Sequence, residues 1–335
     1  HHLQQSDELS SHQSNNQVIE HQQESSLVSQ FEQMAMTYPK KTALILGHRK
    51  LSFEELDQRA NNVALQLRQT ALRGNEFVAV YCDKSVEMII SLLAIVKSGA
   101  AYIPLDVSTP VARIRKMLSD TETRIILTQA KYVNAVSDFD VAELSSLLVD
   151  ADSELSSQGP AERQCESVNP VKSDHLAYAI FTSGSTGAPK AVPITHANVL
   201  NMLGALQPIV KFGADDTWTL FHSYSFDYSV WEIWGCLLYG GTLVIVPDEA
   251  RQDPALLYDL LEQQSVSILN LTPSNMQRLL PQVTKKHGFP GSLRALCCGA
   301  EAFPNTLVAP LTEHGIPVWN FYGPTEATVW SSIYG

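Results

Sequence analysis

The chain has 335 residues, 44% of them hydrophobic, and a formal net charge of −12. Length and apolar content exclude a disordered polymer and allow a large core or two packed subdomains; the acidity excludes a nucleic-acid partner, which needs clustered Lys and Arg to displace counterions. Five cysteines, Cys82, Cys165, Cys236, Cys297 and Cys298, show neither a Cys-x-x-Cys pair nor zinc-ligand spacing and point to a reducing, cytoplasmic setting.

Residues 1–26 are rich in Gln, Ser, His and Asn and read as a flexible linker, with His1 and His2 as a possible tag remnant. No basic-then-apolar leader opens the sequence. The most apolar run, Met88–Val96, falls far short of the roughly 20 residues that cross a bilayer and reads as a buried helix, so no membrane partner is expected. Ser52-Phe53-Glu54-Glu55 has the form of a capping box, predicting a helix to about Gln69. Phe77–Cys82 and Arg124–Thr128 read as strands, and Val86–Lys97 as a helix ended by Gly99. The polar stretch 152–173, with Gly159-Pro160 and Asn169-Pro170, reads as a surface connection dividing subdomains 27–172 and 173–335. Beyond it, strands are predicted at 176–181, 217–221, 242–247, 266–270, 293–298 and 317–320, and helices near 196–210, 228–238, 254–264 and 304–313. Strands alternating with amphipathic helices make an α/β fold of two similar layers.

Three segments carry chemistry. Thr182-Ser183-Gly184-Ser185-Thr186-Gly187-Ala188-Pro189-Lys190 follows the apolar strand Leu176–Phe181. Its hydroxyls, inward-turning amides and one ammonium suit a polyphosphate, although an ordinary Ser/Gly surface loop has a similar composition. It is not a Walker loop, because Pro189 stands before Lys190 and no Gly-Lys-Ser/Thr occurs. Asn320-Phe321-Tyr322-Gly323-Pro324-Thr325-Glu326 offers a ring face, a hydroxyl and a hard oxygen ligand, or alternatively a Gly-Pro turn with a solvated Glu. Gly299-Ala300-Glu301, after the strand Leu293–Cys298, has small residues that let a flat ring approach the backbone.

Together with Leu51–Leu56 (LSFEEL), Lys97–Asp106 (KSGAAYIPLD) and Phe226-Asp227-Tyr228-Ser229, these segments resemble the adenylate-forming enzymes, and more narrowly the adenylation domains of nonribosomal peptide synthetases, from about Leu27 to Gly335. The resemblance implies two packed α/β subdomains with helix-covered mixed sheets. It also implies ATP and Mg²⁺ as cofactors and attack of a substrate carboxylate on the α-phosphorus, before transfer of the acyl group to a carrier-protein phosphopantetheine thiol. Positioning and charge neutralisation would supply most of the catalysis. By motif, Thr182, Ser183, Gly184, Ser185, Thr186, Gly187 and Lys190 would hold the β- and γ-phosphates. Asn320 and Tyr322 would bind adenine with Gly299, Ala300 and Glu301 on its other face; Thr325 would touch the α-phosphate and Glu326 would ligate Mg²⁺.

Asp227 would pair with the α-ammonium of an amino acid; as a bare sequence feature it reads first as the N-cap of a helix from Tyr228 to Leu238. The rest of the side-chain pocket would be Tyr228, Trp231, Asn270, Leu296, Cys298, Phe321, Val329 and Trp330, suggesting a small or medium polar side chain. The opening Asp-aromatic-Trp-Asn resembles threonine-type pockets, from which Phe321 and Trp330 depart. His222 resembles a histidine or aromatic near the acyl channel of relatives, or is a packing histidine. Cys297 and Cys298 should point to opposite faces of a strand and carry no chemistry.

The family's Thr-Gly-Asp segment, hinge and small lysine-bearing domain are not in the sequence, from which weak activity of this chain alone is expected. A neighbouring condensation domain is the expected partner. An acyl- or aryl-CoA ligase and a non-catalytic docking fragment are the alternative readings.

Overall fold

The computed structural model describes residues 25–70, 72, 75–150, 170–183 and 189–335. The expected linker, residues 1–26, lies outside them up to residue 24, while Ser26 caps the helix Leu27–Thr37; most of the connection 152–173 lies outside them too. Two sheets organise these residues. The larger has the order β14-β13-β12-β11-β9-β10-β1-β2, from β1 (Thr42–Leu46), β2 (Arg49–Ser52), β9 (Thr217–Leu220), β10 (Thr242–Ile245), β11 (Ile268–Leu271), β12 (Ala295–Cys298), β13 (Val318–Tyr322) and β14 (Ser332–Tyr334). The smaller has the order β6-β5-β3-β4-β7-β8, from β3 (Phe77–Tyr81), β4 (Ala101–Leu105), β5 (Ile125–Thr128), β6 (Ser145–Leu148), β7 (Leu176–Ser183) and β8 (Pro189–Thr195). Interior pairs are parallel, while β2, β14 and β8 pair antiparallel at the edges, so both sheets are mixed as the resemblance implied.

The sheets do not divide the chain at 172/173. The hairpin β1–β2 joins the larger sheet, and β7–β8 completes the smaller one. Register explains this: Leu44 pairs with Leu243 across a parallel ladder and Tyr102 pairs with Tyr178, so apolar strands distant in sequence are buried side by side.

A shared core lies between the sheets. It takes Val78, Tyr102 and Tyr178 from the smaller sheet, Trp218 from the larger, and the inward faces of helices Phe53–Gln69, Val86–Ser98 and Tyr228–Leu237. Separate apolar clusters cover the outer faces, one beneath helices Pro254–Gln263 and Pro273–Lys285 and one beneath Val111–Asp120. The capping box at Ser52 forms as its spacing predicts, with the Ser52 amide donating to Glu55 Oε2 at 2.7 Å and the Glu55 amide to Ser52 Oγ at 3.2 Å. The apolar helix Val86–Ser98 is buried from end to end through Lys97 and stops at Gly99, whose φ of 87° is left-handed. The helix predicted near 304–313 is shorter, a 3-10 turn at Asn305–Leu307 running into Val308–Thr312, with Pro310 inside it.

Among the described residues no helix is long and apolar enough to cross a membrane. The described cysteines are free and buried. Cys297 joins the shared core and Cys298 the outer cluster, so alternation along β12 separates their sulfurs as expected.

Candidate active site

The C-terminal ends of β3 and β4 in the smaller sheet meet that of β9 in the larger, and such strand ends are where open α/β sheets present their loops to ligands. The segment Phe221–Asp227, following β9, bridges the two. Tyr224 hydroxyl donates to Leu105 O at 2.7 Å and accepts the Cys82 amide at 3.1 Å; Ser223 Oγ donates to Asp106 at 2.8 Å, and Lys84 Nζ to Phe221 O at 3.0 Å. Groups from the smaller sheet therefore fix the loop that carries His222 and Asp227. Burial lowers the Lys84 pKa to about 8.

Asp227 sits at the N-terminus of helix Tyr228–Leu237, yet its side chain makes no capping bond and its backbone is already helical (φ −62°, ψ −23°). The half-buried carboxylate lies instead beside Thr325 and Glu326. Burial raises its pKa, the neighbouring Thr325 hydroxyl and Tyr228 amide oppose the rise, and the nearby charge of Glu326 adds to it. Phe226-Asp227 and the turn Tyr322–Glu326, almost a hundred positions apart, thus meet at one point.

Adjacent parallel strands place the next two segments side by side. Cys298 pairs with Asn320, so the turn Gly299–Glu301 after β12 neighbours the turn Gly323–Glu326 after β13. Gly323 has no room for a side chain: an added Cβ would lie 2.3 Å from Val329 O and 2.7 Å from Trp330 Cα. A Cβ at Gly299 would lie 2.6 Å from the Trp330 ring. The Tyr322 ring is 68% exposed, which leaves a face free for stacking. Glu301 has another attachment, because its Oε2 accepts from Ser274 Oγ at 2.6 Å and from the Ser274 amide at 3.0 Å, closing the N-terminus of helix Pro273–Lys285. Ala300 adopts φ 67°, and the β-branched pair Thr328 and Val329 adopts φ 61° and 65°. Such left-handed backbone is held only where its surroundings fix it.

The side-chain group behind Asp227 is aromatic and dry. Tyr228 is fully buried, donates to Cys297 O at 2.8 Å, stacks on His222 at 3.9 Å between centroids and meets the Trp330 ring edge-on at 4.8 Å. Trp231 Nε1 donates to Asn270 Oδ1 at 2.8 Å, and Phe321 lies 5.5 Å from Trp231 and 5.2 Å from Trp330. Val329 is buried in the same core. Leu296 and Cys298 are not brought together with these side chains. They pack into the outer cluster on the opposite face of β12, and Cys297 takes the position facing Tyr228 and Phe321.

Of the phosphate-loop residues, Gly184, Ser185, Thr186 and Gly187 lie outside the described residues. Thr182 and Ser183 end β7, Lys190 pairs with Thr182 in β8, and Lys190 is exposed. A β-hairpin therefore carries the segment, not the strand-to-helix turn of a Walker loop. The short sequence signal missed Glu232. This fully buried carboxylate accepts the amides of Phe221 and His222, each at 3.1 Å, and the His222 Nδ1–H at 3.1 Å, fixing the ring. A lone Glu inside the apolar helix YSVWEIWGCL was the available clue.

Comparison with known proteins agrees with this geometry. The family model described as AMP-binding enzyme matches residues 31–335. Malpinin synthetase of Mortierella alpina is 36% identical over 319 residues, covering 94% of this chain and 4% of that protein. A dimodular nonribosomal peptide synthase of Bacillus subtilis (strain 168) is 37% identical over 314 residues, covering 90% and 13%. A syringomycin synthase of Pseudomonas syringae pv. syringae is 36% identical over 303 residues, covering 89% and 48%. The chain thus spans less than half the length of these relatives. Among solved structures, the nonribosomal peptide synthetase FmoA3 in its α-methyl-L-serine-AMP bound form superposes with a TM-score of 0.82 at 25% identity, over 92% of this chain and 34% of that one. Its AMPPNP-bound form gives the same score and identity, over 92% and 32%.

Proposed function

The chain belongs to the AMP-binding enzyme family as an adenylate-forming domain of the nonribosomal peptide synthetase type, and from that premise we propose that it activates an α-amino acid with ATP as an aminoacyl adenylate. The product would pass to the phosphopantetheine thiol of a carrier protein, with a condensation domain as neighbour. The observation that carries this reading is Asp227: a half-buried carboxylate beside Thr325 and Glu326 whose pKa is raised by burial. A buried carboxylate without a cation costs several kcal/mol, roughly, and an α-ammonium would offset that cost. Relatives described as peptide synthetases and an aminoacyl-AMP bound neighbour support the choice of an amino acid.

In the proposed reaction a substrate carboxylate oxygen bonds to the α-phosphorus as the bond to the β-phosphate oxygen breaks and pyrophosphate leaves. Asp227 would hold the ammonium and so aim the carboxylate, gaining rate by orientation. Thr325, already beside Asp227, would turn its hydroxyl to an α-phosphate oxygen. Tyr322 and Asn320, with the Gly299–Glu301 turn opposite, would hold the adenine; Thr182, Ser183, Gly184, Ser185, Thr186, Gly187 and Lys190 would hold the β- and γ-phosphates. Glu326 fits a nucleotide-bound Mg²⁺, which takes one or two carboxylates and completes its shell with phosphates and water. Glu326 is exposed, and its unfavourable charge beside Asp227 would be relieved by a cation there. That ion would neutralise charge on the triphosphate.

The test is ATP–pyrophosphate exchange across the proteinogenic amino acids and their des-amino analogues, in a protein carrying this chain with its natural continuation. Exchange dependent on one or a few amino acids supports the reading; exchange driven equally by des-amino acids replaces it with acyl- or aryl-acid activation.

A further inference from the structure

Two opposite charges grip the turn that leads out of β9 toward Asp227. The peptide unit joining Phe221 to His222 has its carbonyl held by Lys84 Nζ at 3.0 Å and its amide held by Glu232 Oε2 at 3.1 Å. The unit before it repeats the arrangement: Leu220 O accepts from Lys84 at 3.4 Å, and the Phe221 amide donates to Glu232 Oε1 at 3.1 Å. An ammonium thus stands at the negative ends of two successive peptide dipoles and a carboxylate at their positive ends. Charge-assisted bonds of this kind are about twice as strong as neutral ones. The two charges come from different parts of the fold. Lys84 follows β3 of the smaller sheet and immediately precedes Ser85, the N-cap of the buried helix Val86–Ser98, whereas Glu232 lies inside helix Tyr228–Leu237. Glu232 also orients the His222 ring, which stacks on Tyr228, the neighbour of Asp227.

We propose that Lys84 is a positioning residue for substrate activation: with Glu232 it sets the turn Leu220–His222, and through that turn the His222 ring that backs Tyr228 beside Asp227. This rests on the amino-acid reading above, which seats the substrate at Asp227 and Tyr228. The grip is also titratable. Burial and the charge of Arg251 lower the Lys84 pKa to about 8, while the charges of Glu232 and Asp248 oppose the fall. These groups face Lys84 from helices Tyr228–Leu237 and Asp248–Gln252. A neutral amine still donates, but it holds a carbonyl less strongly than an ammonium does. The turn is therefore held tightly near neutrality and loosens as pH rises through about 8.

Calorimetry on this chain tests the proposal with two probes. The tightest-binding of the proteinogenic 5′-O-aminoacyl-sulfamoyl adenosines occupies the amino-acid and nucleotide halves of the site together; AMP occupies the nucleotide half alone. Lys84→Met keeps the stem and removes the charge, whereas Lys84→Arg carries a charge that does not titrate in this range. At pH 7, Lys84→Met should weaken the aminoacyl analogue by about ten- to a hundredfold, the scale of a displaced positioning group, and leave AMP within about twofold. Lys84→Arg should recover most of the loss. Between pH 7 and pH 9 the wild type should lose affinity relative to Lys84→Arg by about fivefold, as a charge-assisted bond becomes a neutral one. The analogue's own amine titrates alike in both proteins and cancels from that ratio. Unchanged affinity in Lys84→Met, or equal losses for the analogue and AMP, overturns the positioning role, and so does a ratio to Lys84→Arg that stays flat with pH. Either variant decides alone if the other misfolds. A wild type that binds no aminoacyl analogue tighter than AMP overturns the reading of the site itself, and the role of Lys84 with it.

Discussion

The Thr325 hydroxyl lies beside the Asp227 carboxylate and opposes the rise of its pKa, joining the turn after β13 to the loop after β9. In the free protein this neighbour partly offsets the burial of the acid. On the proposed function, an arriving ammonium would give Asp227 a stronger partner and free Thr325 to turn toward the phosphate. One pair of residues would then couple amine recognition to the reacting phosphorus.

Asp227→Asn should separate stability from function. Burial raises the Asp227 pKa above its unfolded value, so its stability contribution is fully present below the unfolded value and is lost as pH rises through the folded one. At neutral pH the variant is therefore expected to melt no lower than the wild type, with the wild type gaining relative to it on acidification. Affinity for an aminoacyl adenylate analogue should fall by about a hundredfold, because a buried ion pair loses one member. Calorimetric melts from pH 4 to 8 and a binding isotherm check both halves.

Gly323→Ala should destabilise the turn by about 1–3 kcal/mol, the usual scale of overpacking. Its Cβ would press on backbone atoms alone, Val329 O at 2.3 Å, Trp330 Cα at 2.7 Å and Ser331 N at 2.8 Å, which cannot swing aside as a side chain can. Urea denaturation reads the change, and nucleotide affinity should fall with it.

Ala300→Gly should act in the opposite direction. With φ 67° at residue 300, alanine carries left-handed strain that glycine does not, worth roughly 1 kcal/mol. A higher urea midpoint at unchanged slope is expected.

Asp216 anchors acid stability. Burial alone would raise its pKa, but Arg294, Ser267 and the Gly213 amide outweigh that and hold it below the usual carboxylate range. Arg294 Nη2 donates at 2.6 Å and Ser267 Oγ at 2.7 Å. A depressed pKa stabilises above the unfolded value and loses that contribution as pH falls through the folded one. Asp216→Asn should therefore cost about 1–3 kcal/mol near pH 7, and its deficit should shrink below pH ~3.9, the unfolded carboxylate value. Denaturation at pH 7 and pH 3 tests this.

Local signals were legible in the sequence, whereas long-range pairings were not. The Ser52–Glu55 box and Gly99 fix their helix ends through bonds within a few residues, so their spacing sufficed. The hairpin β1–β2 escaped notice because its place in the larger sheet depends on β10, some two hundred positions later. The motif beginning at Lys97 was legible as a family feature but not as structure: Lys97 is buried and bonds Glu32 and Asp57, from helices Leu27–Thr37 and Phe53–Gln69, an ion-pair cluster that holds the helix layer. In the site, Asp227 and the Tyr322–Glu326 turn were identified from short motifs. The faces of β12 were not, since Leu296, Cys297 and Cys298 are all apolar and only pairing of Asn270 with Cys297 shows which side chains turn toward Tyr228.

The central claim is that Asp227 receives a charged amine beside the nucleotide, and calorimetry with a matched pair of ligands tests it most directly: an aminoacyl sulfamoyl adenosine and the same molecule without its amino group. The account predicts binding of the amino form about a hundredfold tighter, with Asp227→Ala removing the difference. Equal affinities for the two ligands in the wild type would contradict it.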